Sequence, residues 1–379
     1  MKTAQHVWSR ENGWQEVVKP EFEMDKAQWV WVIGDREELK KKEWVDQVRK
    51  WYPSAKLVGG SSSGSISGIR VSDETIVVTG VWLEKSRIEM VHVEVEGMDK
   101  SQSLGEKLAG ELPHEGLRHV IVVSDGLNVN GSSLVKGLNE SLPEGVAVTG
   151  GLAGDQDKFE ETVVVVDGEV ETKQVVAVGL YGNDLKVGYG SMGGWDPFGV
   201  VRMVTKSEGN VLYELDGQPA LELYKTYLGE DAKNLPGSAL LFPLNLIQEG
   251  SDPLVRTVLA VDDEKGSMTF AGDLPKGSKV QLMRSNFERL IDGADGAAGM
   301  TREGMGEFQA QLILLVSCVG RKLVLKQRVE EELEAVKGRL GEVTMTGYYS
   351  YGEICPTAST EKQCQLHNQT MTVTTLAEG

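Results

Sequence analysis

The hydrophobic pattern of this chain repeats one motif three times. Trp29 to Ile33 is a short apolar run that ends at Gly34 and Asp35. A stretch with Leu39, Trp44, Val48 and Trp51 near helical spacing follows, then a second apolar run, Ala55 to Val58, ending in Gly59 and Gly60. Thr75 to Val78 is a third run. The second copy begins at His119 to Val123, ends at Ser124 to Gly126, and continues through a helix predicted over Ser132–Leu142 to Val146–Val148 and Gly150–Gly151. Thr162 to Val166 then reads as its third strand. The last copy has Leu312–Val316, a helix predicted over Lys322–Leu340 with Leu325, Val329, Leu333, Val336 and Leu340 on one face, Val343–Thr346, and Thr370–Leu376. From the first strand's end to the end of the second the spacing is 25 residues in the first copy (33 to 58), 26 in the second counted to Thr149 (123 to 149) and 30 in the third (316 to 346). Strand–helix–strand units of this size predict parallel pairing with right-handed crossovers. The expected fold is therefore α/β, with repeated strand–helix–strand units in a mostly parallel sheet.

Between the second and third copies the pattern changes. Short strands are predicted over 185–192, 200–206, 239–246, 257–261, 267–271 and 280–283, with Asp262 to Gly266 as a turn. Hairpin connections of this kind imply an antiparallel, β-rich middle region. Pro219–Leu228 reads as a helix. Asn286–Met305 has helical patches weakened by Gly293, Gly296 and Gly299. The length of 379 residues favours two domains. The expected division is an N-terminal arm over 1–24, one domain over 25–213 and a second over 214–379.

Ligands of parallel sheets sit beyond the carboxyl ends of the strands. In this chain the glycine-rich and polar clusters 59–63, 150–155, 317–321 and 347–353 all fall there. The last of them opens a region that gathers Tyr351, Glu353, Cys355, Cys364, His367 and Asn368, read as a polar loop between two strands. Arg321 can fork onto a ligand carboxylate, and Asp155 or Glu353 can receive an ammonium group. An internal ion pair between Arg321 and one of those acids fits the same residues equally well. Cys318, at a strand end beside Arg321, is a candidate nucleophile if that cation lowers its pKa; a packing or ligand-lining cysteine is the alternative. Gly60 to Gly64 matches a nucleophile-elbow pattern centred on Ser62, although the following segment reads as extended rather than helical. Gly188 to Gly193 spells a dinucleotide fingerprint, yet Gly194 to Pro197 cannot open the helix it requires. The spacing of Cys355, Cys364 and His367 fits no common structural zinc site. No cofactor or metal is expected.

Charge narrows the partners. The net charge of −18 argues against phosphate backbones and anionic membranes. No apolar run reaches the roughly 18–20 residues of a membrane span, and no signal-peptide pattern opens the chain. Three cysteines fit a reducing cytoplasm better than a disulfide scaffold.

Several segments, taken in order, resemble the FIST family, a sensory module of signal-transduction proteins. They are GGLAGD at Gly150–Asp155, ELDGQPA at Glu214–Ala220, Phe242–Leu244, Val255–Arg256, LVSCVGR at Leu315–Arg321, GYYSYGEI from Gly347, and LHNQTMTVTTL ending at Leu376. The resemblance runs from about Val30 to Leu376 and makes the two expected domains FIST N-terminal-like and FIST C-terminal-like. It implies a non-enzymatic sensor of a small polar metabolite, an amino acid or a relative. Ser61, Ser62, Gly151, Asp155, Cys318, Arg321, Tyr351, Glu353, His367 and Asn368 are the expected ligand-binding residues. Family members are often fused to an output module. Here the resemblance ends three residues before Gly379, so the signal is expected to pass to a partner protein in trans. An enzyme using Cys318 or Ser62, and a protein-binding scaffold, are the competing readings.

Overall fold

The computed structural model describes residues 1–235, 237–248, 252–357 and 363–379. The chain opens with a hairpin, β1 (Lys2–Ser9) and β2 (Gly13–Val18). The first unit follows as β3 (Trp29–Gly34), α1 (Arg36–Lys40), α2 (Glu43–Trp51), β4 (Lys56–Ser61), β5 (Ser65–Ser67), β6 (Arg70–Ser72), β7 (Thr75–Trp82) and β8 (Arg87–Glu94). The second is α3 (Ser101–Glu111), β9 (Leu117–Ser124), α4 (Gly131–Ser141), β10 (Ala147–Leu152), β11 (Val164–Val166), β12 (Glu169–Glu171), β13 (Gln174–Tyr181) and β14 (Leu185–Met192).

An antiparallel insertion separates it from the third unit. It comprises β15 (Trp195–Glu208), β16 (Val211–Leu215), β17 (Gln218–Pro219), α5 (Ala220–Leu228), β18 (Leu244–Ile247), β19 (Leu254–Arg256), β20 (Val258–Asp262), β21 (Ser267–Phe270) and β22 (Lys279–Ser285). The third unit is α6 (Phe287–Met300), α7 (Arg302–Met305), β23 (Leu312–Cys318), α8 (Val319–Leu325), α9 (Val329–Leu340), β24 (Thr344–Ser350), β25 (Gly352–Pro356), β26 (Cys364–His367) and β27 (Met371–Glu378).

Three sheets share one strand order. They run β12-β11-β4-β3-β7-β1, β26-β25-β10-β9-β13-β8 and β6-β5-β24-β23-β27-β14, with β2 extending the first. Each unit keeps its first three long strands together and lends a hairpin to one neighbouring sheet, and the first two units lend their last strands, β8 and β14, to the other. In the first sheet β1 takes the place that β8 and β14 fill in the other two. The result is a ring with pseudo-threefold symmetry.

This corrects the expected α/β fold with a mostly parallel sheet. The chain is 28% helix and 43% strand. Among the described strands only β3/β4, β9/β10 and β23/β24 pair parallel. The physical reason lies after the second strand of each unit. The chain leaves for the next sheet as a hairpin, then returns beside the first strand in the antiparallel sense. Residues 162–166, read as the third strand of the second copy, belong to that lent hairpin, and β13 is the returning strand.

The strands are apolar along their length because both faces are covered. In β3 and its equivalents alternate residues point to opposite sides. Trp31, Ile33, Ile121, Val123, Leu314 and Val316 meet in a core shared by all three sheets. Val30 and Val32 face Leu39, Trp44 and Val48 of the outer helices, and Ile313 and Leu315 face Leu333 and Val336. The helix expected over 322–340 is broken into α8 and α9 at Lys326, which has φ 52°. The expected boundary at 213/214 falls inside β16, within one continuous sheet.

Glycines set how closely the parallel strands approach. A Cβ on Gly59, Gly150 or Gly347 would lie 1.7, 1.9 or 1.9 Å from the carbonyl oxygen of Val32, Val122 or Leu315. These three positions are therefore equivalent. Just beyond them the strand ends lock in a cycle. Ser63 N–H donates to the Tyr349 carbonyl (2.8 Å), Gly154 N–H to Ser61 (3.0 Å) and Tyr351 N–H to Leu152 (3.2 Å).

Candidate functional site

The ten sequence-predicted residues fall into two groups, and all the side chains among them are buried. The first group surrounds the cyclic lock. Ser61 Oγ accepts the Val163 amide (3.0 Å). Ser62 Oγ shares a hydrogen bond with Ser65 Oγ (2.9 Å) and accepts the Gly64 amide (3.4 Å). Gly151 lies in β10 opposite Glu353, where a Cβ would come within 2.7 Å of the Gly352 carbonyl. Asp155 accepts the amides of Phe159, Glu160 and Glu161 (3.0 Å each), the Arg36 guanidinium (2.9 Å) and the Tyr351 hydroxyl. Tyr351 also stacks on Phe159 with ring centroids 4.4 Å apart. Asp155 thus organises the 155–161 loop, and its acceptor sites are filled from within the protein.

The second group surrounds the turn 368–370, which joins β26 to β27. The polar cluster read as a loop lies instead in β25, β26 and this turn. Of the spacer between β25 and β26, residues 358–362 lie outside the described residues. Glu353 accepts the Ser350 hydroxyl (2.7 Å), the Thr370 amide (3.1 Å) and the Thr370 hydroxyl (3.0 Å). Burial pushes its carboxyl up to about 8, against these donors and the charge of Arg321. At neutral pH it is mostly a carboxylic acid. Cys318 N–H donates to the Thr370 carbonyl (3.1 Å). Burial, and then Glu353, push its thiol far above the ordinary range, so the Arg321 cation does not make it a thiolate. His367 Nε2 lies 2.9 Å from the Cys355 carbonyl, which can only accept, so that nitrogen carries the proton. Burial lowers the imidazole to about 4 and keeps it neutral.

Arg321 forms an internal ion pair, but with Glu332 rather than with Asp155 or Glu353. Nε and Nη2 reach Glu332 at 3.0 and 2.7 Å, and the remaining donors go to the carbonyls of Gly193 (3.0 Å) and Leu290 (2.6 Å). Both partners have no exposed side-chain surface. Its planar fork is therefore spent on tying α8, α9, α6 and the end of β14 together.

Sequence reasoning missed the residues that meet this turn from the insertion. Arg256, at the end of β19, is 3% exposed. It donates to the carbonyls of Asp273 (3.0 Å), Val255 (3.2 Å) and Leu366 (3.0 Å), and among the described residues these are its side-chain hydrogen bonds, none of them to a carboxylate. Burial lowers even this guanidinium to about 10, with Asp273 opposing. Thr257 N–H reaches Asn368 Oδ1 at 3.5 Å. Asn368 Nδ2, Thr257 Oγ1 and Gln369 Oε1 are buried without a hydrogen-bond partner among the described residues. Gln369 carries φ 63°, its carbonyl accepts Trp195 Nε1–H (3.1 Å), and its Nε2 donates to the Leu240 carbonyl (3.2 Å). Among the described residues, the seam between insertion and ring thus holds a buried cation with no carboxylate bonded to it, together with a spare donor and spare acceptors. Arg256 and Gln369 lie in segments that carry the family resemblance, Val255–Arg256 and LHNQTMTVTTL, yet nothing in those segments marked either as a site residue; Thr257 had no signal.

None of the ten predicted residues lines the two large surface cavities, of about 600 and 740 Å³. No helix among the described residues is long and apolar enough to cross a membrane.

Comparisons with known proteins bear on the whole chain. An uncharacterized protein of Methanocaldococcus jannaschii is 28% identical over 204 residues, covering 50% of this chain and 38% of that protein. An uncharacterized protein of Mycobacterium tuberculosis is 26% identical over 252 residues, 63% of each chain. The chain thus spans less than two thirds of the curated relatives it matches here. Among solved structures, a cyanuric acid hydrolase from A. caulinodans aligns over 77% of this chain and 99% of its own, at 10% identity and a TM-score of 0.18. So low a score supports no argument about fold or function. Residues 28–218 match the FIST N domain and residues 220–356 the FIST C domain. Together these cover nearly the whole chain, which belongs to the FIST family of sensory signal-transduction domains.

Proposed function

We propose that this protein is a non-enzymatic cytoplasmic sensor that binds a small carboxylate, an amino acid or a derivative, in the seam between insertion and ring. One observation carries the reading: among the described residues Arg256 is buried with carbonyl partners and no carboxylate, on the same seam where Thr257 meets Asn368, and Asn368 Nδ2 and Thr257 Oγ1 have no partner there. A buried charge left unpaired is costly, and so is a buried polar group left without a hydrogen bond. A ligand carboxylate would satisfy the guanidinium and the Asn368 amide together. In this reading Asn368 touches the ligand. Glu353, Cys318 and His367 hold the turn that carries it, and Arg321 fixes the layer beneath. Ser61, Ser62, Gly151, Asp155 and Tyr351 secure the strand ends behind the site.

Because both sides of the seam contribute, occupancy would change how firmly the insertion sits on the ring. A ligand shifts only an equilibrium whose states it binds unequally. A seam tightened by ligand would alter the surface offered to a signalling partner in trans.

The test is a thermal-shift panel of amino acids and short carboxylates. Ligand at 100 times its dissociation constant adds about 2.7 kcal/mol to stability. We expect a hit whose shift disappears in Arg256→Gln and shrinks in Asn368→Ala. A flat panel, or a hit that both variants retain in full, sinks the reading.

A further inference from the structure

The pseudo-threefold ring repeats one structural corner three times, and the cavity of about 600 Å³ lies at one of them. The glycine equivalence places Trp29, His119 and Leu312 at one position, and Val58, Thr149 and Thr346 at another. The ladders to β8, β14 and β1 place Met90, Tyr189 and Gln5 at a third. In the first corner Trp29, Val58 and Met90 pack into the shared core. In the third, Leu312 packs there too. Gln5 closes the remaining space by donating to Thr79 Oγ1 and the Met345 carbonyl, 3.0 Å each.

The second corner is different. His119 Nε2 bonds Thr149 Oγ1 (2.8 Å), which also accepts the Thr374 hydroxyl (2.9 Å). The His119 ring lies nearly parallel to Tyr189, at 19° with centroids 6.0 Å apart. Both rings line the cavity of about 600 Å³, a volume typical of small-molecule sites. Val187 and Met300 supply apolar wall. The charged groups on its lining are Arg118, Lys186 and Glu303, so this wall is net cationic in a chain of net charge −18. His119 is held neutral by burial.

We propose that this corner is a second binding site, independent of the seam, for a small planar aromatic carboxylate. The aromatic ring would lie along Tyr189, inside the cavity that this side chain lines. The carboxylate would reach Arg118 and Lys186 at the rim. Aromatic faces pair well with offset or parallel rings, and the two cations supply charge-assisted donors.

Indole-3-carboxylate is the probe, titrated into the full chain by isothermal calorimetry. Lys186→Gln and Arg118→Gln alter side chains at the rim and spare the core. Each is expected to weaken binding about tenfold, the cost of one charge-assisted hydrogen bond. Glu303→Gln is expected to tighten it, and Tyr189→Leu to abolish it. Arg256→Gln is expected to leave it unchanged, so failure here and failure of the seam reading are distinguishable. No saturable heat with the probe overturns the proposal. So does binding that ignores Tyr189→Leu and both cation variants, or binding lost in Arg256→Gln.

Discussion

Glu353 gives the most direct reading of the buried site through pH. Its carboxyl stands at about 8 in the fold, against an ordinary value of 4.5. Between those values the folded chain holds a proton that the unfolded chain has released. Stability therefore falls as pH rises through this window, by about 1.4 kcal/mol per pH unit for one proton. The histidines act in the opposite sense. His119 at about 3 and His367 at about 4 stay neutral in the fold, and His6 is also lowered, all by burial. Below 6.5 the unfolded chain takes up protons that the folded chain refuses, so their contribution is lost as pH falls. From 4.5 to 6.5 the histidines outnumber Glu353 and stability rises with pH. From 6.5 to 8 Glu353 alone removes about 1.6 kcal/mol, offset in large part as the half-protonated histidines of the unfolded chain release their remaining protons, so the loss is read as the difference from a variant without this carboxyl. Above 8 the three buried thiols, all raised by burial, add their own decline. The assay is guanidinium denaturation in half-unit steps from pH 5 to 8. Between pH 6.5 and 8 wild type should lose stability relative to Glu353→Gln. If both proteins change equally over that interval, Glu353 is not a buried acid and the account of the turn is wrong.

Two further outcomes test the frame around the site. Arg321→Ala leaves Glu332 charged and buried beside Ser317 and Tyr349; it should cost about 3–5 kcal/mol without any ligand present, measured by denaturant midpoint, and an unchanged midpoint would free Arg321 for a ligand after all. Gly59→Ala drives a Cβ to 1.7 Å from the Val32 carbonyl and should lower the melting temperature. Gly110→Ala, in α3 with open space around it, should instead stabilise by about 0.5–1 kcal/mol; equal effects of the two substitutions would contradict the close strand approach.

Much of the frame was legible because it depends on local pattern. The three apolar first strands, the glycines at the ends of the second strands and the antiparallel middle region all follow from burial on two faces, close approach and hairpin spacing. Sheet membership was not legible. Val164–Val166 is as apolar as a core strand should be, and nothing in its residues says that it pairs with β4 of another unit. Burial of the candidate residues was equally hidden. Arg321 and Asp155 have the chemistry of a ligand clamp, but Glu332 and the 159–161 amides already occupy them. Arg256 and Thr257 meet Leu366 and Asn368 across more than a hundred residues, a separation that no periodicity encodes.

The ring offers an internal control for what is structural and what is particular to the third unit. Asp35, Asp125 and Cys318 are equivalent, since each N–H donates to the matching carbonyl of Thr75, Gln174 or Thr370. Asp35 caps α1 by accepting the amides of Glu37 and Glu38, and Asp125 braces the matching turn by accepting the amides of Leu127 and Asn128, ahead of α4, whose own cap is Asn130. Such caps typically contribute about 1 kcal/mol. Cys318 makes no side-chain cap to α8. A position that serves stability twice gives that role up once, and does so where its thiol faces Glu353 and the amide of Gln369. The same turn carries Asn368 with its unpartnered Nδ2 and bears against the insertion through Trp195 and Leu240. The turns of the other two units have no inserted sheet to meet. The departures from symmetry therefore converge on the seam, the place where the proposed ligand would sit.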